Sequence, residues 1–97
     1  MEELVPSEFY LCQNYPNPFK EKTVIKYCVA YKTRVKLTVY NAEGEVIEKL
    51  IDEEKKPGTY EVVFQSAVGS RQLANGNYLY RLEAGNFTSE KKMQLIK

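Results

Sequence analysis

Thr23-Val24-Ile25-Lys26-Tyr27-Cys28-Val29-Ala30-Tyr31 and, just beyond it, Arg34-Val35-Lys36-Leu37-Thr38-Val39-Tyr40-Asn41 decide the fold. Successive side chains of an extended chain point to opposite faces, so an apolar residue at every second position marks a strand with one face buried. The first stretch sets Ile25, Tyr27 and Val29 against Lys26 and Cys28; the second sets Val35, Leu37 and Val39 against Lys36 and Thr38. Asn41-Ala42-Glu43-Gly44 then reads as a hairpin turn, with Gly44 free to take the positive φ of a short reversal. Glu45 to Asp52 comes next as a third strand, less cleanly patterned, with Val46 and Leu50 the inward candidates.

The same reading extends to the C-terminus. Glu53 to Lys56 is expected as a charged tip, and Pro57-Gly58 suits a tight turn because proline presets its own φ and glycine accepts left-handed geometry. Thr59 to Gln65 turns Tyr60, Val62 and Phe64 inward, and Gly76 to Ala84 does so with Tyr78, Tyr80 and Leu82. Ser66 to Leu73 is small and polar, the composition of a surface loop. Gly85-Asn86 is a short hairpin signal before Phe87 to Ile96, whose inward residues are Met93 and Leu95. These six strands and an N-terminal segment, with turn signals about every 10 to 12 residues, predict an all-β fold. An immunoglobulin-like antiparallel β-sandwich of about seven strands fits best, since a single sheet would leave one apolar face wet. The chain of 97 residues is the size of one domain; residues 1–97 are read as a single sandwich, with 1–8 a flexible lead-in.

Composition narrows the function classes. Fourteen Lys and Arg against 13 Asp and Glu leave a net charge of +1, which argues against a nucleic-acid or anionic-membrane partner needing a basic excess. No apolar run is long enough for a transmembrane helix. Met1-Glu2-Glu3-Leu4 is acidic and has no apolar core, so no cleavable signal is expected on this stretch. Histidine is absent, which removes Ser-His and Cys-His nucleophile pairs and histidine metal sites. Asp52-Glu53-Glu54 lacks calcium-loop spacing and is neutralised by Lys55 and Lys56. The expectation is a domain that binds or addresses, not an enzyme, with no cofactor and no metal.

Leu11-Cys12-Gln13-Asn14-Tyr15-Pro16-Asn17-Pro18-Phe19 is the most unusual stretch. Each proline fixes its own φ and pushes the residue before it toward extended geometry, while Asn14 and Asn17 can fold their amides back onto nearby backbone. It reads as a stiff connector whose aromatics, with Phe9, plug one end of the sandwich: Phe9, Tyr15 and Phe19. The same Tyr-Pro surface also suits ligand contact. Cys12 and Cys28 fall on the outward phase. An oxidising compartment would permit a bond between them, closing about 16 residues for roughly 3 kcal/mol, if their Cα atoms stand close enough.

Gln13-Asn14-Tyr15-Pro16-Asn17-Pro18-Phe19, followed by Thr23-x-Ile25-x-Tyr27, resembles the opening signature of the C-terminal sorting domains of the type IX (Por) secretion system. Val35-x-Leu37-x-Val39-Tyr40-Asn41-x-x-Gly44, Gly58-x-Tyr60-x-Val62 and the block Leu73 to Phe87 resemble its later blocks in the same order. Lys91-Lys92-Met93-x-Leu95-Ile96-Lys97 is similar to the basic, apolar tail that ends these proteins. Two places depart from the pattern: Lys20-Glu21 stands where the family has Asn-Pro, and Phe64-Gln65-Ser66 where it has Trp-Asp-Gly.

The resemblance implies a non-catalytic sorting and anchoring domain at the C-terminus of a larger secreted protein. That protein would pass through the periplasm to the cell surface or the medium. The implied partners are the outer-membrane export machinery and its processing enzyme. The family is also similar to the immunoglobulin-like domain of the flagellar hook-capping protein. The implied recognition residues are Gln13, Asn14, Tyr15, Pro16, Asn17, Pro18 and Phe19, together with Lys91, Lys92, Met93, Leu95 and Lys97. The alternative is an immunoglobulin-like structural or adhesion module that binds a protein or glycan, to which exposed Tyr10, Tyr31 and Tyr40 would point. Open edges at Arg34 to Asn41 or at the C-terminus would let two chains pair as a homodimer.

Overall fold

The computed structural model describes residues 6–68 and 71–97. Their strands are β1 (Tyr10–Leu11), β2 (Lys22–Val29), β3 (Thr33–Tyr40), β4 (Val46–Lys55), β5 (Gly58–Gln65), β6 (Ala67–Val68), β7 (Arg71–Gln72), β8 (Gly76–Ala84) and β9 (Phe87–Leu95). One sheet has the order β1-β2-β5, the other β4-β3-β8-β9, and all neighbours are antiparallel. Seven strands in two facing sheets make the expected immunoglobulin-like β-sandwich. Tyr78, near the start of β8, donates its hydroxyl proton to the Ala74 carbonyl four residues back at 2.7 Å. This is the tyrosine corner that ties the crossing between sheets in such folds.

The inward phases of the two sheets supply one core. Ile25, Tyr27, Val29 and Phe64 face Val35, Leu37, Val39, Tyr80, Leu82, Met93 and Leu95, all buried. Tyr27 stacks on Tyr60 at 5.4 Å and Phe19 meets Phe64 edge-on at 6.0 Å, offset geometries that suit the ring quadrupoles. Phe64 thus occupies the core although the family pattern has an indole there, and the two departing stretches meet where Ser66 N–H donates to the Glu21 carbonyl at 2.7 Å.

Four expectations need correction. Val46 points outward and is 53% exposed, while Leu50 packs on the core as expected, joined by Ile47 and Ile51. The cause is two register shifts against β3, between Leu37 and Thr38 and between Val39 and Tyr40, each of which adds one residue on β4 and inverts its phase. Glu53 to Lys55 is no tip, because β4 continues through Lys55 and the acids sit beside cations: Asp52 with Arg34, Glu53 with Lys55 and Glu54 with Lys32. Ser66 to Leu73 contains the pairing of β6 with β7, and Leu73 is buried; residues 69–70 lie outside the described residues. Finally, Arg34 to Asn41 is not an edge, since β3 lies between β4 and β8. Of the expected lead-in, residues 1–5 fall outside the described residues; Phe9 stacks on Phe87 and meets Tyr31 edge-on.

Candidate functional site

The two stretches singled out from sequence lie against each other. After β1 the chain runs through residues 13–19 along the outer edge of β9, the last strand of its sheet. Phe19 N–H donates to the Gln94 carbonyl, and Ile96 N–H to the Phe19 carbonyl, both at 2.9 Å, so Phe19 and Leu95 form a parallel bridge. Asn17 Oδ1 accepts from Gln94 N–H at 2.9 Å, and Gln13 Nε2 donates to the Lys92 carbonyl at 2.6 Å. Three backbone groups of β9 and the N–H of Ile96 just beyond it are thereby satisfied by a segment almost 80 residues earlier. An exposed edge would otherwise present them to any passing strand.

Asn14 organises the segment from beneath. It is buried, and its Nδ2 donates to Thr23 Oγ1 at 2.9 Å and to the Pro16 carbonyl at 3.2 Å, while Oδ1 accepts from Gln13 Nε2 at 2.8 Å. Thr23 Oγ1 in turn donates to the Pro16 carbonyl at 2.8 Å. Tyr80 Oη accepts from Asn14 N–H and donates to the Cys12 carbonyl, each at 2.7 Å. The Tyr15–Pro16 and Asn17–Pro18 bonds are cis. Asn14 therefore folds onto nearby backbone as expected, whereas Asn17 reaches across to β9.

This arrangement sorts the expected recognition residues. Gln13, Tyr15, Pro16, Asn17, Pro18, Lys92 and Lys97 are exposed, and so are Gln94 and Ile96, two residues outside that set. Tyr15 is 80% exposed, so it does not plug the sandwich; its backbone pairs with that of Val24. Asn14, Phe19, Met93 and Leu95 are buried and form a floor beneath the exposed ones. Lys91, opposite Tyr80 in register, follows the inward phase and is half-buried. Lys97 is anchored: its N–H donates to Asn75 Oδ1 at 3.1 Å and its Nζ to Gln72 Oε1 at 3.0 Å. What the surface offers is amides, two prolines, a phenol and lysines, groups that hydrogen-bond and make contact.

Cys12 and Cys28 are both free thiols on the outer face of the first sheet. Cys28 stands opposite Tyr10, and Cys12 N–H donates to the Lys26 carbonyl, so the cysteines are one diagonal step apart. Tyr31 precedes β3 and packs edge-on against Phe9, the neighbour of Tyr10, whereas Tyr40 ends β3.

The core has a pH signature. Burial pushes the Tyr27 phenol up to about 12, helped by neighbouring Tyr60 and Glu53; burial likewise raises Tyr80, although the hydrogen bond from Asn14 works the other way. A raised phenol pKa means that the fold holds a proton which the unfolded chain releases. The associated stability is intact below the ordinary tyrosine value of about 10 and is lost as pH rises from there toward about 12 and beyond. Each of the two tyrosines should steepen the fall by about 1.4 kcal/mol per pH unit in that window. Urea titrations at pH 9, 10.5 and 11.5 check this; a flat midpoint across them would refute it.

The family model for the secretion system C-terminal sorting domain matches residues 13–97, beginning at Gln13 and running to the end of the chain. The chain belongs to that family. No curated protein matches it in sequence. Among solved structures, dimeric latent PorU from Porphyromonas gingivalis is similar, with a TM-score of 0.71 at 16% identity. The alignment covers 99% of this chain and 10% of that one, so the likeness is one of fold, and the chain spans about a tenth of its structural neighbour. Sorting domains of this family are non-catalytic in general and mark proteins exported by the type IX system to the cell surface or secreted. Among the described residues, no helix is long and apolar enough to cross a membrane.

Proposed function

We propose that this domain directs a cargo protein through the type IX system to the cell surface, and that it is read as a folded unit. The observation that supports this reading is the joining of Gln13–Phe19 to the stretch from Lys92 to Ile96 by four hydrogen bonds. The export machinery and its processing enzyme would meet Tyr15, the two prolines, Gln94, Ile96 and Lys97 together. The domain has no catalytic part in this.

Deleting Met93 to Lys97 is a poor test, because Met93 and Leu95 are buried and losing such side chains costs about 2–5 kcal/mol each. Substitutions of exposed groups are cleaner. Residues 1–97 would be fused behind a periplasm-directed fluorescent reporter, in a strain with the type IX system and in its secretion-null mutant. Surface display is expected only in the intact strain. Tyr15→Ala combined with Ile96→Ser should reduce it at least tenfold while circular dichroism and melting stay unchanged. Periplasmic retention of the unaltered, folded fusion in both strains would overturn the reading.

A further inference from the structure

The two sheets have four edges, and three carry devices that discourage strand addition. β9 is clasped by residues 13–19. β4 breaks register twice against β3, and six of its ten residues are charged. β1 is two residues long and runs on into the proline segment. Short edges, bulges, charges and covering segments are the usual means of blunting an edge.

β5 has none of them. Its eight residues, Gly-Thr-Tyr-Glu-Val-Val-Phe-Gln, pair with β2 without a register break, and among the described residues no strand pairs with its other side. Its single charge, Glu61, already has Lys26 at 3.6 Å within the sheet. Low charge, no proline and a run of β-branched and aromatic residues are what an accepting edge needs. Its outer face carries one apolar row: Tyr15, Val24 and Val63 line up across the sheet by their backbone register, with Val63 48% exposed between Glu61 and Gln65.

We propose that β5 pairs with β5 of a second copy of this chain, antiparallel about a two-fold axis at Val63. The strand is self-complementary in that register. Val63 faces its own counterpart, Val62 faces Phe64, and Glu61 faces the amide of Gln65, so no like charges are opposed. The Tyr15–Val24–Val63 row continues into its symmetry mate, giving one six-stranded sheet with an isologous, closed contact. Moving the axis to Val62 would set Glu61 against Val63 and break the row. The overlap runs only from Glu61 to Gln65, so the association is weak and concentration-dependent.

Sedimentation of the 97-residue chain should show a monomer passing to a dimer as concentration rises. Val63→Lys, at a half-exposed position, should keep the fold by circular dichroism and weaken the dimer at least tenfold. In a Cys12→Ser, Cys28→Ser background, Val63→Cys should cross-link two chains on mild oxidation, while Val46→Cys, equally exposed on β4, should not. A monomer up to roughly 1 mM, a dimer indifferent to Val63→Lys, or equal cross-linking from Val46→Cys would each overturn the proposal. None of these results bears on export, which is read separately by the reporter assay.

Discussion

Phe19→Ala is expected to destabilise the domain by about 3–5 kcal/mol. Domains of this size have about 5–15 kcal/mol in total, so the variant should be partly unfolded at physiological temperature. The side chain is 1% exposed and meets Phe64 edge-on, at the place where the proline segment closes the gap between the sheets. Removing the ring leaves a cavity that cannot collapse easily, because the backbone on both sides of Phe19 is bound to β9. Thermal melts should show a midpoint lower by roughly 15–30 °C. Phe19→Leu, which keeps most of the volume, should lose far less. A Phe19→Ala loss under about 1 kcal/mol would mean that the segment is not held as described. The same experiment bears on function, because a sorting defect in Phe19→Ala would report a damaged fold and not a lost contact.

The faces of five long strands are legible from alternation alone, since period 2 survives wherever pairing is regular. Ile25, Leu37, Phe64, Tyr80 and Leu95 are all inward, as their phases predict. The exception, β4, shows the limit of that logic. A bulge shifts phase by one residue, and nothing in Val46-Ile47-Glu48-Lys49-Leu50 announces which residue will be the extra one. Edge or centre is not legible for β3 either, because sheet order depends on which strands cross between sheets, and Lys56-Pro57 makes such a crossing from β4 to β5. The β6–β7 pairing escapes the pattern because two-residue strands carry no periodicity.

The site is legible in its parts and not in its assembly. The prolines and flanking amides mark residues 13–19, and the resemblance marks the tail. That Asn17 would serve Gln94, 77 residues away, has no local signal. Gln94 gives no sign of its own because its role is carried by backbone groups, which any residue possesses. Tyr80 is a core residue by phase, but its hydroxyl has a second task that burial alone implies in general form: a buried phenol needs partners. Those partners, Asn14 N–H and the Cys12 carbonyl, connect the centre of one sheet to the chain entering the other.

Tyr80→Phe isolates that link. It keeps the ring, and therefore the packing, while leaving the Asn14 N–H and one lone pair of the Cys12 carbonyl without their partner in a buried setting. An unsatisfied buried group costs about 1–3 kcal/mol, so the expected loss is about 2–4 kcal/mol, less if water reaches the site. The effect should be local before it is global. Amide exchange at Asn14 should accelerate more than at Leu37, which lies in the centre of Tyr80's own sheet, whereas a general loss of packing would accelerate both alike. The alkaline slope offers a second readout. With one raised phenol removed, the fall in stability between pH 10 and pH 12 should lose about half its tyrosine contribution. If Tyr80→Phe melts like the parent and keeps the full alkaline slope, the hydroxyl does not hold the proline segment, and that segment rests on Phe19 and the β9 backbone alone.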